Sequence, residues 1–163
     1  MKYLITLCCI SVVMMGCGGG SESNQAAGND DPQSMVTTES EESNVPASER
    51  ITLDNKGVGP IKNLELAATI DEEMVTRGME IFKTNCSACH KIDKRFIGPS
   101  PKGIMNRRSP EWIMNMILDP QLMVEQDRCA KDLLIEFNGA AMANQNMTEQ
   151  QARDILEYFR TLN

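Results

Sequence analysis

Two thiols and an imidazole fall within five consecutive residues, Cys86-Ser87-Ala88-Cys89-His90, and that imidazole is the only one in the 163-residue chain. A lone histidine excludes every site that needs two imidazoles from one chain, including bis-histidine iron ligation and histidine-rich zinc catalysis. A structural zinc site would need four ligands, usually two separated pairs. Beyond the run, the cysteines outside the leader are only Cys17 and Cys129. A thioredoxin-like redox pair would need a strand–turn–helix setting, but both flanks carry helical spacing. A plain disulfide between Cys86 and Cys89 would leave the adjoining histidine without a role. The remaining reading is the C-x-x-C-H attachment signature of c-type haem. Thiols three residues apart, at the end of a helix, can each add to one vinyl group of the macrocycle. The next residue's imidazole is then carried under the iron.

The chain's beginning supplies the compartment such chemistry needs. Met1-Lys2 is followed by a short apolar run that stops at Gly16-Cys17, the form of a secretory leader. The run is too short to span a bilayer comfortably, which takes about 20 apolar residues. Its end, Val13-Met14-Met15-Gly16-Cys17, resembles the lipobox of bacterial lipoproteins, with Met14 where leucine is usual. The resemblance implies a signal peptide over 1–16, with Cys8 and Cys9 discarded in it, and a lipid on Cys17 that holds the mature protein to a membrane.

Residues 17–60 then read as the lipidated cysteine followed by a disordered acidic linker. Eight acidic and two basic side chains, with no aromatic, lie between Gly18 and Pro60. Such a composition cannot bury enough apolar area to offset chain entropy. A coil of this length has an r.m.s. span of about 35 Å, enough for a leash. The domain is expected over 61–163, where thirteen basic residues nearly balance fifteen acidic ones. The overall charge of −7 argues against nucleic acid as a partner, because phosphate binding needs a basic face.

Within 61–163 the expected fold class is all-α, with four or five helices. Gly57-Val58-Gly59-Pro60 reads as a turn into the domain, and Ile61, Leu64 and Leu66 are expected to lie across the first helix. Thr69-Ile70-Asp71-Glu72 has the capping-box pattern and predicts a helix start. Met74, Val75, Gly78, Met79 and Phe82 follow on one face and lead into the cysteine motif. Ser109-Pro110 predicts a second start, and Asp119-Pro120 a third, broken near Asp127 and closed by Asn138-Gly139. Thr148-Glu149-Gln150-Gln151 is a second capping-box pattern, ahead of an apolar stripe of Ala152, Ile155, Leu156, Phe159 and Leu162. No alternating strand pattern occurs in the domain.

Helix, C-x-x-C-H, Gly98-Pro99, a methionine in a loop and a final helix together resemble class I cytochrome c over about Ile70 to Asn163. The resemblance implies a small helical fold around one covalently bound haem c. It implies that the first and last helices cross near the haem, with Gly78, Phe82 and Tyr158 or Phe159 at the contact. Cys86 and Cys89 would form the haem thioethers and His90 the proximal ligand. The Pro99 carbonyl would accept the imidazole's hydrogen bond, which fixes ring orientation and raises ligand basicity.

For the sixth ligand, a thioether is the natural choice once the histidine is used. Met105, Met114, Met116, Met123, Met142 and Met147 all lie downstream. Met142, in the loop Asn138–Asn144 ahead of Thr148, matches the family's ligand position, while Met147 resembles an apolar staple before the last helix. Ala143 stands where the family commonly has proline, which leaves that loop less rigid.

His/Met ligation closes both axial positions and leaves iron one task, moving one electron. The expectation is a monomeric electron carrier and not an enzyme. It would be lipid-anchored on the periplasmic side of a bacterial membrane, between a quinol-oxidising complex and a terminal oxidase or reductase. The rival expectation is a haem-based sensor or gas-binding protein with a labile or open sixth site. Lys91, Lys94, Arg95 and Lys102 suggest a basic docking rim, and Arg107-Arg108 could neutralise haem propionates or only wet a turn. Trp112 is expected in the core and Cys129 as an inert thiol.

Overall fold

The structure is a computed structural model that describes residues 44–163. The leader, Cys17 and the linker up to residue 43 lie outside the described residues. Among those described there are five α-helices and no strand: α1 (Glu72–Ile81), α2 (Pro110–Leu118), α3 (Pro120–Gln126), α4 (Arg128–Glu136) and α5 (Glu149–Arg160). A π-helical turn, Phe82–Cys86, extends α1, and a 3-10 turn spans Ile104–Asn106.

Each helix start is set by a short polar side chain that takes over otherwise orphaned backbone donors. Ser109 accepts from Trp112 N at 3.1 Å, with Pro110 in the first turn. Asp119 ends α2 and caps α3 through Leu122 N at 3.0 Å; Asp127 ends α3 and caps α4 through Ala130 N at 2.8 Å. The chain thus turns twice on single aspartates. Thr148 and Gln151 form the expected reciprocal capping box on α5. At α1 the cap is Asp71 and not Thr69. The Asp71 carboxylate accepts from Glu73 N and Met74 N, both at 3.0 Å, while its own N–H donates to Glu157 on α5. An aspartate one residue before the helix makes both bonds directly, so the Thr69 pattern is not used.

α1 crosses α5 at Gly78. A Cβ built there would lie 2.0 Å from the Asp154 carbonyl oxygen and 2.9 Å from Ile155 N. Only a residue without a side chain allows that approach. Phe82, one turn further on, meets Tyr158 and Phe159 at ring separations of 5.8 Å each. Two ionic contacts flank the crossing. Arg77 grips Asp154 with two bonds of 3.0 Å, and buried Glu157 accepts from Arg153, Arg160 and the Asp71 N–H. The expected α5 stripe is the core face, with Ala152, Ile155, Leu156 and Phe159 all buried. On α1, Met79 departs from expectation: it is 47% exposed, and Gly78 and Phe82 carry the buried contact.

The segment before α1 also departs from expectation. Residues 44–60 are not a leash but a strap folded onto the domain. Ala47 is buried; Arg50 pairs with Asp132 at 2.5 Å, and Ser48 bonds Glu136 through both its N–H and its hydroxyl at 2.7 Å. Asn55 donates to Asp127 at 2.8 Å. Further along, fully buried Asn115 on α2 donates to the Lys56 and Ile61 carbonyls and accepts from Ile61 N. Glu111, also on α2, accepts from Leu64 N at 3.2 Å. Ile61 and Leu64 are therefore held across α2 rather than α1. Gly57 (φ +69°) lies where a Cβ would meet the Met123 side chain at 2.7 Å.

Gly78→Ala should lower stability by about 2–3 kcal/mol or more, because the opposing atom is backbone; thermal unfolding of the haem-loaded protein measures it. Glu157 gives a second expectation. Burial alone would raise its pKa, but the Asp71 N–H and the guanidinium groups of Arg153 and Arg160 outweigh it and hold it below the usual 4.5. A depressed carboxylate contributes stability above its unfolded pKa and loses it as pH falls through the folded one. The stability gap between wild type and Glu157→Gln should therefore be full at neutral pH and close as melts are taken below pH 4.5.

Candidate functional site

The cysteine motif begins where α1 widens. In the π-turn the Ser87 N–H reaches back five residues to the Phe82 carbonyl at 3.0 Å, a form of helix break common at working sites. The Cys86 carbonyl then accepts from both Cys89 N (3.0 Å) and His90 N (2.9 Å). This tight turn leaves Cys86 half-buried, Cys89 exposed and His90 half-buried. All three line one apolar cavity. Burial, and then the neighbouring Cys89, push the Cys86 thiol up to about 11, so in the free chain it stays a neutral thiol at pH 7.

His90 is fixed from two directions. Its Nδ1 lies 2.8 Å from the Pro99 carbonyl oxygen. A carbonyl can only accept, so Nδ1 carries a proton, and in the neutral ring Nε2 keeps its lone pair. Gly98 lies flat against the ring, where a Cβ would meet Cε1 at 2.5 Å and Nε2 at 3.0 Å. The loop is tied back by Gly98 N donating to the Cys89 carbonyl at 2.9 Å.

The other walls come from α2, α4, α5 and the loop between the last two helices. Trp112, Ile113, Phe137, Ile155 and Phe159 supply apolar surface. Asn138 (φ +56°) and Gly139 (φ +77°) end α4 in left-handed geometry and release the chain into that loop. Met142 is half-buried between exposed Ala141 and Ala143, and it lines the cavity. Of the six downstream methionines, Met116 and Met147 line it too; Met105, Met114 and Met123 do not. Met123 is fully buried on α3 and its sulfur lies 3.1 Å from Val58 N.

Other expected residues fall into place differently. Trp112 is core, 3% exposed, with its indole N–H committed to Asp127 at 3.0 Å. Cys129 is buried, and desolvation raises its pKa despite the nearby Arg108 charge. Of the four basic residues after the motif, Lys102 pairs with Asp93 at 3.2 Å and Arg95 with Glu136 at 2.7 Å, while Lys91 bonds the Ser87 carbonyl and neither it nor Lys94 has an acidic partner among the described residues. Glu136, Asp127 and the strap were not foreseen as neighbours of the site. The Asp-capped helix starts were their only trace in the sequence.

The residues fit a haem. An apolar cavity holds two thiols three residues apart, an imidazole with a free Nε2 and a thioether. Its lining also contains Arg108, whose Nε is buried without a partner. With an all-α frame, these define a class I monohaem cytochrome c. Comparison with known proteins agrees: the cytochrome c family model matches residues 75–163, and the chain belongs to that family. A cytochrome c-553-like protein of Synechocystis is 30% identical over 87 residues, spanning 53% of this chain and 67% of that one. Cytochrome c from Rhodothermus marinus superposes with a TM-score of 0.62 at 37% identity, covering 72% of this chain and 93% of that one. An engineered form of it bound to a carbene intermediate gives 0.60, again at 37% identity, with 72% and 94% covered. The chain carries covalent haem c, and with the family goes one-electron transfer by a single haem.

Gly98→Ala should push the imidazole off the Pro99 carbonyl. The expected outcome is a loss of mature, six-coordinate haem protein, read from the visible spectrum at equal expression, whereas Ala88→Gly, at an exposed position of the same turn, leaves the spectrum intact.

Proposed function

We propose that the protein is a lipid-anchored monohaem electron carrier whose iron is closed by His90 and Met142. Cys86 and Cys89 hold the haem as thioethers, and the Pro99 carbonyl orients His90. The observation that carries this reading is that His90 and Met142 line the same apolar cavity as both cysteines. Bound haem supplies a reversible one-electron iron couple. The chain's own work is to keep water from the cavity, hold the imidazole in one tautomer, and present a thioether, which favours the reduced state over a second nitrogen ligand. The leader ending in Gly16-Cys17 supports export and a lipid on Cys17; 1–16 is removed, and the acidic residues from 17 up to the strap form the tether. No helix among the described residues is long and apolar enough to cross a membrane; the anchor in this reading is the lipid on Cys17. The tethered domain exchanges electrons on the periplasmic side with a quinol-oxidising complex and a terminal oxidase or reductase.

One observation favours the second reading, a sensor or gas-binding protein. Among the described residues, the only hydrogen bonds made between Ala141 and Met147 are internal, Gln145 Nε2 to the Ala143 carbonyl and Asn146 N to the Asn144 side chain. No hydrogen bond among the described residues ties the methionine loop to the helices around it, and it lacks the proline the family often places after the ligand.

An absorption spectrum of the haem-loaded protein decides between them. The carrier reading expects the weak far-red sulfur-to-iron band when oxidised and no reaction with carbon monoxide when reduced. Met142→Ala should abolish the band and open the iron to the gas, while Met116→Leu and Met147→Leu keep the band. A wild type that lacks the band and binds the gas readily would favour the sensor.

A further inference from the structure

Arg108 is 2% exposed, yet no carboxylate among the described residues accepts from it. Its Nη1 donates to the backbone carbonyls of Arg50 and Arg107, and its Nη2 to the Ala47 carbonyl at 2.5 Å. The guanidinium carbon lies 5.2 Å from the Trp112 ring centre, and Nε is buried with no partner. Carbonyls orient a guanidinium but carry no net negative charge, so a buried cation is left uncompensated.

Arg107 repeats the pattern. It also lines the cavity, and its bonds go to the carbonyls of Gly103, Ser100 and Lys102. Burial, and then the Arg108 charge, lower its pKa. The charged and titratable groups facing the pair are few. From the strap come Arg50, already paired with Asp132, and exposed Glu49, whose charge acts on Arg107. From the α3–α4 junction come Asp127, accepting from Trp112, Asn55 and Ala130, and the neutral Cys129 thiol. None of these acids accepts from Arg108.

Two adjoining guanidinium groups therefore line an apolar cavity, and no anion among the described residues is bonded to Arg108. Haem c brings two carboxylates of its own. Both carbonyls that fix Arg108 from a distance in sequence, Ala47 and Arg50, belong to the strap, which precedes the residues matched by the family model. We propose that residues 44–56 are a working part of the haem site, holding Arg108 in place as the counter-charge to the haem carboxylates and so setting the reduction potential. This rests on haem occupying the cavity that His90 and Met142 line.

A fixed positive charge beside the haem favours the reduced form and keeps a propionate ionised. Spectroelectrochemical titration of the full-length holoprotein across pH tests the proposal, with the far-red band recorded on every sample. Arg108→Gln should lower the potential and move its pH-dependent step to higher pH. Arg108→Lys should keep most of both, since the charge remains. Loosening the strap with Ser48→Ala and Arg50→Ala together should shift both readings in the same direction as Arg108→Gln, by less. Should Arg108→Gln fail to accumulate, the strap variant still decides, because it leaves Arg108 in the chain.

Arg108→Gln with an unchanged potential and step would overturn the counter-charge role, and an unchanged strap variant would overturn the role of residues 44–56. Absence of the band in wild type would count against Met142 as a ligand, an outcome separate from these comparisons.

Discussion

Gly78 lets α1 pass over α5 with a Cβ-sized gap missing: a methyl group there would sit 2.0 Å from the Asp154 carbonyl. The rest of the site depends on this approach. It brings Phe82 against Tyr158 and Phe159 and so fixes where the π-turn begins. The π-turn in turn determines where Cys86, Cys89 and His90 leave the helix. Glu157 and Arg77 lock the crossing from either side, and the N-cap of α1 is itself bonded to Glu157. A small helical domain without a sheet has little other means of holding a loop-borne imidazole to one orientation.

Around that crossing, polar side chains rather than apolar bulk do much of the positioning. Asp119 and Asp127 turn the chain between helices that are only seven to nine residues long. Asp127 also takes the Trp112 indole N–H and the Asn55 amide, so one carboxylate joins a cavity wall, a helix start and the strap. Glu136 does the same at the other end of α4, meeting Ser48 of the strap and Arg95 of the haem-motif loop. Buried charges of this kind bring fold specificity only when each is fully bonded. Arg108 Nε is the exception, and it is an exception at the cavity wall.

How much of this could be read in the residues depends on the kind of contact. Helix periodicity and the Ser109, Asp119 and Thr148 starts are local, and they are legible from a few neighbours. C-x-x-C-H with Gly98-Pro99 is legible because covalent chemistry demands a fixed spacing. The strap was not. It has no aromatic residue and little apolar area, and it binds through backbone carbonyls and short polar side chains, so composition marks it as unstructured. Thr69 and Glu72 carry the capping-box spacing, a pattern of two residues, while the better acceptor, Asp71, stands between them. Spacing alone puts Met79 on the buried face, but the close approach at Gly78 leaves room only beside the glycine, and Met79 faces solvent.

The central claim is that one imidazole and one thioether of this chain close the iron from both sides. A one-dimensional proton NMR spectrum of the reduced haem protein tests it most directly. A methionine methyl bound to ferrous haem iron sits under the ring current and is carried far upfield of every other methyl. With His90 and Met142 on the iron, one such three-proton signal is expected, lost in Met142→Ala and retained in Met116→Leu and Met147→Leu. A reduced protein with no far-upfield methyl, or one whose signal survives the loss of Met142, would contradict it.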